Sequence, residues 1–376
     1  MFPFPGPYSP PPASRRAPGP TPRTRSRLTG GRIPRPGSRL PAWAALLALL
    51  AGALTPSRAQ PFRLPTDNRA VLEDGDRGAA RFFAPTPGRT WTAGQFGCVR
   101  SEGGQMHEGI DILVTRRDRR GEPVDEVRAA AAGEVAYANR RPALSNYGNY
   151  LILRHRIEGL EVFTLYAHLR EIRSGLKAGD QVRAGETVGI MGRTANTATA
   201  IAKDRAHLHF EIDMLVNDGF SGWMRRNDPD ARDDHGPWNG RNLLGLDPAE
   251  VFRLQQERGA RFSLLDHVRN LTPMCRVLVA DTSFPWLRRY PMLIRRNARA
   301  EREGIVAYEV ALDFNGLPFR LTPRARGEIT GSVATRLLDV DEAEYRRHPC
   351  RRLVFRQGQK WVLTARGQTL LSLLTH

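Results

Sequence analysis

Between about residue 90 and residue 215 the chain breaks into short runs of alternating or β-branched residues, punctuated by glycine turns. They are GEVAYA at 133–138, NYLILRH at 149–155, EVFTLYAHL at 161–169, ETVGIMG at 186–192 and AHLHFEI at 206–212. A period of two favours strands over helices, and the close spacing of the runs predicts a compact, mainly β unit. One helix is expected to close it, at DPAEVFRLQQERGA, where Asp247 would be the N-cap and Pro248 the first helical residue. The stretch 217–247 between the last strand and that helix has no periodicity and reads as a long inserted loop. Residues 60–89 read as an irregular linker rich in turn formers.

The ends differ from this middle. The formal charge of the chain is +18, but residues 1–59 hold nine Arg and no acid, and residues 262–376 hold 19 basic and 11 acidic residues. Residues 60–261 are therefore nearly neutral. With only three Lys in the chain, the Arg bias more plausibly reflects codon composition than guanidinium chemistry, and no nucleic-acid partner is expected. Residues 1–39, rich in Pro, Gly and Arg, cannot bury a core and should be disordered. The apolar run Ala42–Leu54 follows Arg39 and ends in Ser57-Arg58-Ala59, which is the pattern of a secretory signal peptide cleaved after Ala59. The run is short for a membrane span, which needs about 20 residues, although an uncleaved anchor is the alternative. Either way the chain is expected to be exported, to the periplasm or cell envelope.

Export draws attention to Cys98, Cys275 and Cys350, an odd number with no CxxC pair. Cys275 and Cys350 lie in one region and could pair; three buried thiols are an equal alternative. In the same region, AYEVALDFNGLPFRLTPRA carries Asn315-Gly316 between alternating runs, a strong hairpin signal, and RRLVFRQGQKWVLTARG suggests a second hairpin about Gln357-Gly358. Residues 262–376 thus read as a smaller basic β-rich domain. Its charge suits an anionic cell-wall polymer or a membrane surface, and a purely structural cap is an equal reading.

Within 90–261 the residues able to do chemistry gather in three places. GGQMHEGIDIL offers His107 and Asp111, with Gly109 arguing for a turn that enters a strand. TLYAHLR offers His168. AHLHFEI offers His207 and His209, which at i and i+2 must share one face of a strand. His155, His235, His267 and His348 are expected to be structural. Two ring nitrogens and a carboxylate make the open three-ligand set typical of catalytic zinc, and the lack of thiolate pairs argues against a closed structural site.

The segments MHEGIDI, LYAHL and AHLHFEI, in that order, resemble the three signature motifs of the lysostaphin-type, or LytM-like, zinc endopeptidases that cleave peptidoglycan. VRAAAAGEVAYA, YGNYLILRH and LKAGDQVRAGETVGIMGRTA resemble flanking strands and the glycine hairpin of that family, so the likeness covers about a third of the chain. The resemblance implies a β-sandwich of the duplicated-hybrid-motif type holding one zinc ion per chain. It assigns His107, Asp111 and His209 as metal ligands. It assigns His168 and His207 as catalytic histidines, acting on the attacking water and on the tetrahedral intermediate. The expected substrate is the peptide stem of peptidoglycan, either at D-alanyl to diaminopimelate cross-links or at glycine bridges. The insertion TRRDRRGEPVDE at 115–126 and the loop at 217–247 are expected to wall the groove, where Trp223, Trp238 and the Asp cluster at 228–234 could meet substrate. Two other classes compete: a non-hydrolytic wall-binding or amidase-activating relative, and a sugar-phosphotransfer carrier, against which the export signal counts.

Overall fold

The computed structural model describes residues 61–376 apart from 74, 198 and 199. The expected signal peptide and its cleavage site lie outside the described residues. Among the described residues no helix is long and apolar enough to cross a membrane.

The molecule is mainly β, with several antiparallel sheets. Its first half carries β1 (Gly97–Arg100), β2 (Gln105–His107), β3 (Ile110–Leu113), β4 (Glu126–Arg128), β5 (Gly133–Asn139) and β6 (Tyr150–Ile157). These are followed by β7 (Leu160–Ala167), β8 (Glu171–Ile172), β9 (Gln181–Val182), β10 (Thr187–Ile190), β11 (His207–Leu215) and β12 (Leu243–Leu246). The main sheet runs β12-β11-β7-β6-β5-β9, with β3 also paired to β11; β4, β10 and β8 form a second sheet and β1 with β2 a hairpin. β6 and β7, neighbours in sequence, pair through a tight glycine turn. At Glu158-Gly159, between β6 and β7, both residues have positive φ, which sets the register Ile157↔Leu160.

β11 shows why this part folds as it does. Its polar residues His207, His209, Glu211 and Asp213 alternate with Leu208, Phe210, Ile212 and Met214, and all four apolar side chains are fully buried in the main core. Each such burial is worth about 1.5–3 kcal/mol, so the register of the strand is fixed by its apolar face. The polar face is then held on the other side of the sheet. That register sets His209 opposite Asp111 of β3 on one flank and opposite Ala167 of β7 on the other.

Three expectations need correction. Residues 61–89 are not an irregular linker: they contain a helix at Gly75–Phe82, and Phe62, Val71, Phe82 and Phe83 are buried in the main core. An eight-residue helix with glycines among its first four positions gives too few turns for its period to stand out. The stretch 217–247 likewise holds a helix, Phe220–Asn227, and the strand β12. Trp223 within it is 2% exposed and its indole N–H donates to Ser372 Oγ at 3.0 Å, so it serves the core, while Trp238 packs its ring against Phe163. Finally, Cys350 is disulfide-bonded to Cys98, and Cys275 is a buried free thiol. Closeness along the chain did not decide the pairing. A disulfide needs Cα atoms within about 4.4–6.8 Å, and Cys98 and Cys350 are 5.4 Å apart despite 252 residues between them.

The helix Pro248–Arg258 forms as expected, with Asp247 accepting from the backbone N–H groups of Ala249 and Glu250. Beyond it come β13 (Cys275–Val279), β14 (Ala307–Leu312), β15 (Pro318–Arg324) and β16 (Arg336–Val340), a four-stranded sheet of order β15-β14-β13-β16. The hairpin at Asn315-Gly316 joins β14 to β15. The one at Gln357-Gly358 joins β17 (Val354–Gln357) to β18 (Lys360–Leu363). One large hydrophobic cluster runs from Phe62 through the main sheet to Leu374, so the C-terminal sheet shares its apolar interior with the first half. The Cys98–Cys350 bond ties the same two parts covalently, at the hairpin that carries His107.

Candidate metal centre

Three strands and one turn bring the five expected residues together. His107 ends β2, Asp111 lies in β3, and His207 and His209 lie on the polar face of β11. His168 follows β7 with φ +60°, a left-handed conformation that turns the chain out of the strand. Gly109 is required between His107 and Asp111 because a Cβ there would stand 2.4 Å from Phe210 O and 2.7 Å from Glu211 Cγ. The turn therefore lies flat on β11 and delivers both side chains to its polar face.

The three expected ligands converge. His107 Nε2 is 3.1 Å from Asp111 Oδ1 and 3.1 Å from His209 Nδ1, and His209 Nδ1 is 3.0 Å from Asp111 Oδ1. Donors bound tetrahedrally at about 2.0–2.1 Å from one ion stand roughly 3.3 Å apart, close to this triangle. Among the described residues this is the group of His, Cys, Asp and Glu side chains able to hold a metal ion.

Hydrogen bonds behind the rings show which atoms face inward. His107 Nδ1–H donates to Gln95 O at 2.6 Å, leaving the Nε2 lone pair in the triangle. His209 is turned the other way: Nε2–H donates to Glu211 Oε1 at 2.6 Å, so Nδ1 faces Asp111. Three electron pairs thus point at one another, an arrangement relieved by positive charge: a shared metal ion, a trapped proton, or the Arg100 guanidinium that also reaches His107 and Asp111. With the protein's charges alone, burial opposes charge on His209 but its bonds to Asp111 and Glu211 outweigh burial and raise its pKa to about 10. Burial likewise opposes the charge on Asp111, and the neighbouring His207 and His107 hold its pKa well below the usual value. The site therefore draws positive charge strongly, and its donor set fits zinc.

His168 and His207 stand outside the triangle, beside it. His168 Nδ1–H donates to Thr194 O at 2.8 Å and His207 Nδ1–H to Arg205 O at 2.6 Å, so both present Nε2. Their ring centroids are 4.9 Å apart, and His207 Nε2 is 3.5 Å from Asp111 Oδ2. Burial lowers the pKa of both, in His168 to about 3 with help from His207 and His209. Each is a neutral imidazole near neutral pH, with a lone pair available as a proton acceptor.

Sequence reasoning missed three neighbours. Glu211, fully buried, accepts from both His209 and the Tyr147 hydroxyl, the latter at 2.7 Å. Burial works against its charge, but the His209 hydrogen bond keeps its pKa below normal. Next on the same face, Asp213 is raised well above the usual carboxyl range by burial and by Glu211. The alternation His207, His209, Glu211, Asp213 was readable in the sequence and would have found both. Arg100 of β1 reaches into the site, its Nη2 being 3.0 Å from His107 Nε2 and ion-paired with Asp111 Oδ2. No local pattern marks it.

The histidines expected to be structural are satisfied elsewhere. His155 bonds Ala132 O and Thr164 Oγ1, His235 bonds Tyr137 and Leu144 O, His267 lies against the Phe262 ring, and His348 stacks on Phe314. Of the two expected walls, the insertion at 115–126 lies against the turn that leads to His207. Its Arg117 Nη1 donates to Lys203 O, and its Glu122 pairs with Arg193 and Lys203. The stretch 217–247 lies on the other flank, where Gly240 abuts the Tyr147 hydroxyl.

Residues 105–219, just under a third of the chain, match the sequence model of Peptidase family M23. The catalytic domain of lysostaphin from Staphylococcus simulans is similar at 25% identity over 32% of this chain and 74% of that domain, with a TM-score of 0.23. A zinc-containing peptidase from Vibrio cholerae is similar at 24% identity over 35% of this chain, with a TM-score of 0.21, and this chain spans only 30% of that protein. The catalytic domain of the prophage-encoded M23 protein EnpA from Enterococcus faecalis matches at 20% identity over 42% of this chain and 86% of that domain, with a TM-score of 0.23. No curated protein matches the chain. With the motif order, the ligand triangle and the family match in agreement, residues 105–219 form a domain of Peptidase family M23.

Proposed function

We propose that the chain is an exported zinc-dependent endopeptidase that hydrolyses peptide cross-links of bacterial peptidoglycan. The observation that carries this reading is the pair of imidazoles, His168 and His207, standing beside a complete three-ligand set with Nδ1 bonded to backbone oxygens and Nε2 free of backbone partners. A binding protein of the same fold needs neither base. Zinc, when bound, would acidify water and polarise the scissile carbonyl. The chain's own residues do the rest. His107, Asp111 and His209 hold the ion, and Glu211 and Gln95 O fix the ligand tautomers. His168 and His207 take up and return the proton and support the developing oxyanion. The Cys98–Cys350 disulfide supports export, because such bonds persist in oxidising compartments.

The test is zinc-dependent release of muropeptides from purified peptidoglycan, with mass spectrometry naming the bond; D-alanyl to diaminopimelate cross-links are the expected site. His168→Ala and His207→Ala should keep zinc and melting temperature close to the parent while turnover falls about 100-fold or more. Full turnover in the folded variants, or no hydrolysis by the zinc-loaded parent, would refute the reading.

A further inference from the structure

The C-terminal part closes a cavity of 380 Å³ against the stretch 217–247. Small-ligand sites are commonly about 300–1,000 Å³, so this one can hold a group of one or two residues. Its polar lining is dominated by three arginines, Arg241 from the first half and Arg351 and Arg366 from the C-terminal part, over an apolar floor that includes Leu353, Leu370 and Leu373. Among the described residues no carboxylate lines it.

The guanidinium groups are held but not used up. Arg241 lies over the Trp223 ring, 5.5 Å from its centroid, and pairs with Asp228 at 2.7 Å. Arg351 donates to Asn315 Oδ1 at 2.6 Å and stands 3.5 Å from Glu108 Oε1. Arg366, exposed at the start of the helix Ala365–Leu374, has no carboxylate at ion-pair distance among the described residues. Three cations thus face two carboxylates, both outside the lining, and each fork has five N–H donors. Two neighbours link the cavity lining to the peptidase site. Glu108, the partner of Arg351, follows the ligand His107. Gly240, in the lining, backs Tyr147, which donates to Glu211.

We propose that this cavity is a binding site for a carboxylate-bearing peptide segment. On the peptidase reading above, on which the choice of ligand rests, that segment is the part of the wall peptide flanking the cleaved bond. Planar carboxylates match the arginine fork, which binds them through two parallel hydrogen bonds. The leucine floor takes the aliphatic part of the same residue. The C-terminal part thereby becomes a substrate-binding element, since it supplies two of the three cations and most of the floor.

Calorimetry on the zinc-loaded full chain tests it, with the soluble stem peptide L-alanyl-γ-D-glutamyl-diaminopimelate and its fully amidated form as probes. The acid form should bind at least about tenfold more tightly than the amide, the difference expected for one charge-assisted contact. Arg366→Gln should weaken the acid form about tenfold, leaving the amide, the zinc content and the melting temperature unchanged, and Arg241→Gln should weaken it likewise at unchanged zinc content. Equal binding of the two forms, or no change in Arg366→Gln, overturns the proposal. So does binding of polyglycerol phosphate through the same arginines without binding of the peptide. The outcome is separable from the peptidase reading. A parent that binds the acid peptide as expected but releases no muropeptides refutes the peptidase and keeps the site. A parent that cleaves, with arginine variants unchanged in binding and KM, refutes the site alone.

Discussion

Replacing Glu211 by Gln isolates the electrostatic support of the metal site from its shape. Both hydrogen bonds to this side chain, from His209 Nε2–H at 2.6 Å and from the Tyr147 hydroxyl at 2.7 Å, end on Oε1. A glutamine placed with its carbonyl oxygen at that position keeps both, and its amide takes the place of Oε2 beside Asp213, whose pKa is held well above the usual carboxyl range by burial and by Glu211. What is lost is the charge. A hydrogen bond to a charged group contributes about 1.5–3 kcal/mol against about 0.5–1.5 for a neutral pair, a difference near 1–2 kcal/mol. The same charge raises the basicity of His209 Nδ1 towards the metal, and losing such a partner typically costs 10–100-fold in metal affinity. Glu211→Gln should therefore bind zinc about 10–100-fold more weakly by competition with a chromophoric chelator, with circular dichroism unchanged. A folded variant whose zinc affinity stays within about threefold of the parent would refute the claim that Glu211 tunes His209, since 1.4 kcal/mol is already tenfold.

Further outcomes follow from groups away from the metal. His155, held neutral by burial with its pKa near 4 against an ordinary 6.5, stays unprotonated in the fold while the unfolded chain takes up a proton. Stability should therefore be full above pH 6.5 and fall as pH drops towards 4, by up to about 3 kcal/mol at 1.36 kcal/mol per pH unit. Chemical denaturation across that range should show this slope reduced in His155→Gln, and an unchanged acid limb would count against it. Cys350→Ser should lower stability by about 2–4 kcal/mol, since the native bond closes a long loop; denaturant titration of the variant and the parent measures the difference. In the parent, Cys275 should react with a thiol reagent only after unfolding, and rapid labelling of the folded chain would contradict its burial.

Much of the site was legible in the sequence because strand geometry is local. The i, i+2 spacing of His207 and His209 fixes a shared face whatever the strand pairs with, and the apolar partners Leu208 and Phe210 say which face is buried. Asp247 as N-cap and the two glycine hairpins were readable for the same reason: capping and turn chemistry involve residues within four positions of each other. The assignment of ligands and bases came from the order of three motifs, which carries more information than any one of them.

What only the tertiary structure decided depends on approaches between segments far apart in sequence. Cys98 meets Cys350 across 252 residues, and the nearer Cys275 is held inside a different sheet. Arg100 of β1 reaches Asp111 of β3, a strand that β1 does not pair with. The tautomers of the four site histidines are set by Gln95 O, Thr194 O, Arg205 O and Glu211. Three of these acceptors are backbone oxygens, which no side-chain pattern records. The arginine-lined cavity depends on Arg241 meeting Arg351 and Arg366 across the shared core. Side-chain periodicity reports which face a residue occupies, but only packing of the shared apolar interior fixes which faces meet.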